Sequence, residues 1–288
     1  MLDAAPEMRP ARWSRVIVTR PADEASVWVR ALCERGWPAL ALPLIDIGPP
    51  RDPETLDALQ RARADWPSWD ALMFVSAAAV QHFFDGHSPW AESRPGQRTR
   101  FWAPGPGTAR ALADALARRG VDASRIDAPP ADAAQFDSEH LWPVVRDQLH
   151  EGSRVRVVRG ASTSDDGPPQ GGAAGSGREW LMARCRERGA RVEACVAYER
   201  RAPAWTGLQR EEALAATGQD SLWLFSSSEA IDHLHAALPS ADWSRAQALC
   251  THGRIARTAR AIGFGHVIDS RPTLDDVLCA LESARSLP

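Results

Sequence analysis

The sequence predicts an α/β fold made of two parallel-sheet lobes related by an internal repeat. Short apolar, β-branched runs alternate with amphipathic helical stretches through short loops, the pattern of parallel sheets with right-handed crossovers. The same three-part pattern runs twice in the same order, over 16–47, 74–83 and 105–120 and then over 155–203, 225–234 and 253–263. At 288 residues the chain is long enough for two domains, each with its own core. A repeat of domain size implies paired lobes rather than a solenoid, and paired lobes imply a cleft.

In the first copy, the β-branched run 16–19 leads through Arg20-Pro21 into an apolar-periodic helix, Ala22 to Arg35, that stops at Gly36. In the second copy a strand from Val155 to Arg159, a helix from Trp180 to Arg188 and Gly189 repeat the unit. Leu72 to Val75 and Leu222 to Phe225 read as buried strands, each followed by serines placed to cap a helix starting near Ala77 or Ser228. Phe101 to Ala103 and Ala248 to Thr251 are shorter strands leading through glycine turns into further helices. Each lobe is therefore expected to be doubly wound and flavodoxin-like. Individual positions agree between copies: Arg20 with Arg159, Glu34-Arg35-Gly36 with Glu187-Arg188-Gly189, Phe74 with Phe225, Ser76 with Ser227, His82 with His233, and Ala109-Arg110 with Ala256-Arg257. Three stretches read as irregular, 86–100, 127–137 and 161–177, the last as a flexible insertion at the mouth of a sheet.

Composition narrows the chemistry. A net charge of -3 gives no footprint for nucleic acid or an anionic membrane. All 34 basic side chains are arginine, so Schiff-base chemistry, pyridoxal phosphate attachment and a Walker lysine are excluded. Cys33, Cys185, Cys195, Cys250 and Cys279 are scattered, which predicts buried thiols in a reducing compartment rather than a disulfide or metal framework. The eight histidines form no ligand motif, and His233 and His235 do not share a helix face. The segment Gly105-Pro106-Gly107-Thr108 lacks the third glycine of a dinucleotide fingerprint, and no G-x-S-x-G elbow occurs. The first residues, MLDAAPEMRPARW, carry acids and prolines where a signal peptide is apolar, and stretches such as 71–80 are too short to span a bilayer. A cytoplasmic enzyme or binding protein with no nucleic-acid or membrane partner is expected.

Ligands of open parallel sheets collect at the carboxyl ends of the strands. Arg20, Ser76, Gly105 to Thr108 with Gly107 among them, Arg159, Ser226, Ser227, Ser228 and Thr251 to Gly253 all fall at such ends. They suit a ligand bearing several carboxylates or phosphates. Tyr198, the only tyrosine, follows the strand Val192 to Ala197, where a phenol can donate a hydrogen bond into a cleft or pack half-buried at a hinge.

The ordered set TRP (Thr19 to Pro21), ERG (Glu34 to Gly36), LPL (Leu42 to Leu44), GPGTARAL (Gly105 to Leu112), DSEHL (Asp137 to Leu141), Arg159-Gly160, GREWL (Gly177 to Leu181), RGARV through AYERRAP (Arg188 to Pro203) and FSSSEA (Phe225 to Ala230) resembles the uroporphyrinogen-III synthase family from about Val16 to Leu281. The resemblance implies two flavodoxin-like lobes on a two-stranded linker: 12–41 with 204–285, 48–197, and linkers 42–47 and 198–203. It implies a cyclising lyase that closes hydroxymethylbilane to uroporphyrinogen III with inversion of the last ring, in haem biosynthesis. Loss of the bilane hydroxyl gives an azafulvene, and attack through the substituted carbon of the last ring gives a spiro intermediate that fragments and recloses inverted. Holding a flexible chain in one fold is entropy-trap catalysis. The resemblance gives Tyr198 as donor at the departing hydroxyl. Ser76, Thr108, Gly107, Ser226, Ser227 and Ser228 are expected to hold substrate carboxylates, with Arg20 and Arg159 joining if they face inward. No cofactor or metal is expected, and the protein is expected to act as a monomer.

Two positions depart from the family pattern: Ile255 stands where a hydroxyl residue is common, and Val75-Ser76-Ala77-Ala78-Ala79 replaces a more polar run. A non-catalytic bilobed small-molecule sensor shares the repeat and the cleft. A twin-lobed nucleotide-sugar transferase is the other rival, but it calls for a more glycine-rich nucleotide site. Neither accounts for the ordered motifs.

Overall fold

The computed structural model describes residues 13–85, 98–130, 133, 135–162 and 173–285. Along the chain run β1 (Arg15–Val18), α1 (Ala22–Glu34), β2 (Ala39–Ala41), β3 (Asp46–Gly48), α2 (Pro53–Asp65), β4 (Ala71–Phe74), α3 (Ala77–Phe83) and β5 (Arg100–Trp102). There follow α4 (Pro106–Ala117), β6 (Ile126–Asp127), α5 (Ser138–Val145), β7 (Arg154–Ser162), α6 (Ala173–Glu187) and β8 (Arg191–Arg201). The last elements are α7 (Gly207–Ala215), β9 (Ser221–Phe225), α8 (Ser228–Ala237), β10 (Gln247–Cys250), α9 (Gly253–Ala261), β11 (His266–Asp269) and α10 (Leu274–Arg285). The chain divides into two compact units. One holds the residues up to Asp46 and from Arg201 onward, and the other holds Ile47–Arg200.

The first unit carries a five-stranded sheet in the order β11-β10-β9-β1-β2, whose four ladders are all parallel. That is the order of a doubly wound flavodoxin-like sheet. Strands β9 and β10 are buried along their whole length, which is why they read as unbroken apolar runs rather than alternating ones. One face packs Trp13, Val16, Val18, Leu32, Leu222, Leu224 and Leu281. The other holds an aromatic cluster in which Trp243 stacks on Phe264 with centroids 5.1 Å apart, and Trp223 meets Trp243 edge-on at 5.6 Å.

The second unit's sheet runs β3-β8-β7-β4-β5-β6, with parallel ladders from β8 through to β6. Strand for strand, β7, β8, β4, β5 and β6 take the places of β1, β2, β9, β10 and β11. Five strands of each sheet share one layout, differing in where the chain enters, and β3 adds a sixth beyond β8 in the second. One face buries Trp66, Phe74, Phe83, Phe101, Leu112 and Val158. The opposite face buries Met73, Trp102, Leu141, Val155, Val157 and Leu181. Each such side chain contributes roughly 1.5–3 kcal/mol by leaving water.

Local signals fix the element ends. Asp52 accepts the Thr55 N–H at 2.9 Å with Pro53 opening α2, and Thr206 with Gln209 forms a capping box on α7. Gly36 and Gly189, equivalent in the repeat, end α1 and α6 at φ 78° and 81°, a conformation that suits a residue without Cβ. Two boundaries differ from the sequence reading. Strand β8 does not stop at Ala197 but continues through Arg201. Of the expected insertion, 161–162 extend β7 and 173–177 open α6, a helix anchored further along by buried Leu181, Met182 and Cys185. Residues 163–172, like 86–97 in the first irregular stretch and 131, 132 and 134 in the second, lie outside the described residues. Among the described residues no helix is long and apolar enough to cross a membrane.

Candidate functional site

At the carboxyl end of β4, Ser76 turns the chain into α3. Its backbone is extended (φ -161°, ψ 164°), and its Oγ accepts the Ala79 N–H at 3.1 Å, the N-cap the sequence predicts. The helix has seven residues and is held at its far end by two guanidinium groups. Arg63, 5% exposed, donates to the Phe83 carbonyl at 2.9 Å and to the His82 carbonyl, while Arg119 donates to the Phe84 carbonyl. Burial pulls both arginines below the usual guanidinium range, as expected where a charge is taken from water. Helix α3 is thereby pinned at both ends, and it carries His82.

Tyr198 reaches this helix through an irregularity in β8. Arg159 pairs with Val196, but Gly160 pairs with Tyr198, so β8 holds one residue more than β7 at this point. A bulge of this kind re-aims the side chains that follow it. Strict alternation would send Tyr198 to the face of Val192, whereas the bulge brings it to the face of Cys195, Ala197 and Val158, where it is buried. There its Oη lies 3.3 Å from Ser76 Oγ, and the imidazole of His82 stacks on the phenol with centroids 5.6 Å apart. Since β7 lies between β4 and β8, the ring crosses β7 at Gly160, which offers no side chain.

The other predicted residues divide by unit. In the second unit Gly107 and Thr108 open α4, with Gly105 as an N-cap that supplies no side-chain bond. A Cβ at Gly107 would meet only open space, while Thr108 is buried. Arg159 precedes Gly160 and leaves β7 on the opposite face, since successive strand residues alternate. Among the described residues its buried Nε finds no partner. In the first unit Arg20 donates to Glu24 at 2.8 Å and lies over Trp28 at 4.1 Å. Ser226 to Ser228 are half-buried at the end of β9. Ser227 caps α8 by position without a side-chain bond, and Ser228 Oγ is buried with no partner among the described residues. Thr251 and Ile255 are buried, and His252 rather than a hydroxyl residue caps α9, accepting the Arg254 N–H at 3.1 Å.

Sequence reasoning passed over the roles of Gly160 and His82. The glycine closes a valine-rich run and is followed by Ser, Thr, Asp, Gly and Pro, so by sequence it reads as the start of a loop rather than as a strand position. The thiols also depart from expectation. Cys185, Cys195 and Cys250 are buried, but Cys33 and Cys279 are exposed, because each lies on the outer side of its helix. A cavity of about 600 Å³ lies between α2 and β8. Its buried Arg156 is engaged by Asp65, by Glu193 at 3.5 Å and by the Trp69 ring at 3.9 Å, so that guanidinium is matched within the protein.

Residues 26–279 match the family described as Uroporphyrinogen-III synthase HemD. Among solved structures the chain is similar to uroporphyrinogen-III synthetase from Helicobacter pylori, at 16% identity over 95% of this chain and 99% of that one, with a TM-score of 0.50. It is also similar to a mutant uroporphyrinogen III synthase from Thermus thermophilus, at 18% identity over 94% and 98% of the two chains and a TM-score of 0.48. A second Thermus thermophilus structure gives 18% identity, the same coverage and a TM-score of 0.37. The Helicobacter likeness concerns the fold, and the family rests on the match over most of the sequence: the chain belongs to the uroporphyrinogen-III synthase family, cyclising lyases of tetrapyrrole biosynthesis.

Proposed function

We propose that the protein closes hydroxymethylbilane to uroporphyrinogen III, with the Tyr198 phenol as hydrogen-bond donor to the departing hydroxyl. The observation that carries the assignment is the Tyr198–Ser76 pair, 3.3 Å apart at the carboxyl edge of a parallel sheet in a chain of this family. Ser76 Oγ already accepts the Ala79 N–H, so its own proton is available to Tyr198 Oη. The phenol proton is then directed to the leaving oxygen, and negative charge growing on Oη is stabilised by Ser76. The hydroxyl departs as water as the ring nitrogen's electrons displace it, and the pyrrole N–H proton returns to Oη, leaving a neutral, electrophilic azafulvene and a restored phenol. Regiochemistry follows from holding the substituted carbon of the last ring over it.

The groups proposed to hold the propionates and acetates are Ser76, Thr108 and the Gly107 backbone in one unit, and Ser226, Ser227 and Ser228 in the other. The unpartnered Ser228 Oγ and Arg159 Nε are polar atoms with bonding capacity to spare. Arg20, committed to Glu24 and Trp28, ranks below the hydroxyl groups, since surface ion pairs contribute little. On this reading the protein works in the cytoplasm as a monomer, without a nucleic-acid or membrane partner.

The test is to give the purified protein freshly made hydroxymethylbilane and resolve the isomers formed. The type III isomer should replace the type I isomer of uncatalysed closure, and an unchanged ratio would favour the binding-only sensor. Tyr198→Phe is expected to lower turnover by about ten- to a hundredfold at unchanged thermal stability. Full activity in that variant removes the phenol from the mechanism.

A further inference from the structure

The geometry points to Gly160 as a positioning residue that acts through Tyr198, an inference that rests on the role of the phenol proposed above. Glycine is poorly suited to a strand interior, where it adds flexibility and packs nothing. Nor does the backbone require it here, because the glycines with positive φ are Gly36, Gly120, Gly152, Gly189 and Gly263. What position 160 needs is empty space. A Cβ there would stand 2.8 Å from Tyr198 Oη and closer still to Cζ and Cε2 of the same ring, and these are its three nearest atoms. Cβ positions at Gly107 and Gly253, by contrast, meet nothing.

The phenol therefore occupies the volume that any other residue at 160 would fill, and it reaches Ser76 by crossing β7 there. Strands β4 and β8 are two spacings apart, roughly 9–10 Å, a gap the ring closes only over a bare backbone. A methyl at 160 obliges the ring to withdraw on the order of 1 Å to reach ordinary carbon contact. Because the obstructing atoms are the tip of a side chain, the ring yields before the sheet does. Withdrawal stretches the 3.3 Å bond to Ser76 beyond hydrogen-bonding range and moves the donor off the leaving oxygen.

The experiment uses the full-length protein. Since Tyr198 is the only tyrosine, ring-13C tyrosine gives a single reporter of the phenol. Gly160→Ala is expected to move that signal and to lower kcat by about ten- to a hundredfold, with KM nearly unchanged. Combined with Tyr198→Phe, it is expected to cost no more activity than Tyr198→Phe alone, because both changes remove one donor. An unmoved signal with full turnover overturns the inference, as does a double variant whose loss is the product of the two single losses. If Tyr198→Phe alone is fully active, the role of the phenol falls, while the 13C shift still reports the packing. Should Gly160→Ala fail to fold, Gly160→Ala/Tyr198→Ala, which lacks the ring, is expected to fold. Its failure would place the need for glycine in the backbone and overturn the inference.

Discussion

The two units share a strand plan, yet equivalent positions are used differently. Arg20-Pro21 in the first corresponds to Arg159-Gly160 in the second. Pro21, three residues beyond the end of β1, sits at the N-cap of α1, whereas Gly160 lets β7 run on to Ser162 and leaves room for a ring. His233 donates Nδ1–H to the Leu44 carbonyl at 2.7 Å, while His82 stacks on Tyr198. Ser227 makes no capping bond, while Ser76 caps α3 and also meets the phenol. Duplication supplied one scaffold twice. A proline-to-glycine difference and one tyrosine separate a strand tip that packs from one that presents a donor.

The largest break in this comparison should come at α3. It is seven residues long against ten for α8, too short to persist on its own, and it relies on Arg63 for its C-terminal carbonyls. Arg63→Met keeps an unbranched apolar stem but removes the guanidinium bonds to the Phe83 and His82 carbonyls. A loss of about 3 kcal/mol in urea unfolding is expected, together with reduced turnover as His82 and Ser76 lose their frame. Unfolding free energy within about 0.5 kcal/mol of the wild type would mean that α3 is held by packing alone.

A smaller difference separates the two serines. Ser76→Ala removes a cap and the phenol's partner, and is expected to cost about 1 kcal/mol and several-fold in turnover. Ser227→Ala removes no capping bond and should change stability by only a few tenths of a kcal/mol. Equal stability losses in the two variants would erase the distinction drawn between the strand tips.

Much of this was legible in the sequence because it rests on residue types with one dominant use. The repeat, the glycine stops at Gly36 and Gly189, the serine after β4 and the unbroken apolar strands each have a physical signature. The bulge has none. It is an extra residue counted between two ladders, and VEACVAYERR read by alternation puts Tyr198 on the wrong face and ends the strand too soon. Gly160 stood among the motifs, but its role was hidden for the same reason, since its value is the space it leaves for a residue 38 positions away. Cys33 and Cys279 misled because a cysteine's burial depends on helix phase, which one apolar side chain does not set.

The thiols supply the last contrast, one that leaves stability at neutral pH untouched. Cys33 and Cys279, both exposed, belong to the first unit, whereas both thiols of the second, Cys185 and Cys195, are buried. Under native conditions a thiol reagent is expected to modify Cys33 and Cys279 and to leave the second unit unlabelled, which peptide mapping can read. Burial pushes Cys185 and Cys250 up to about 12 and Cys195 up to about 11, from 9.0. Below pH 9.0 these thiols are protonated whether the chain is folded or not, so they add no pH dependence. Above it the unfolded chain releases protons that the folded chain retains, and stability falls as pH rises toward 11 to 12. Urea midpoints at about pH 8 and about pH 10 should therefore differ, the second being lower, and replacing the three buried cysteines by alanine should shrink the gap. A midpoint that holds steady across that interval, or labelling of Cys195 in the native protein, would mean that the face on which Tyr198 packs admits water.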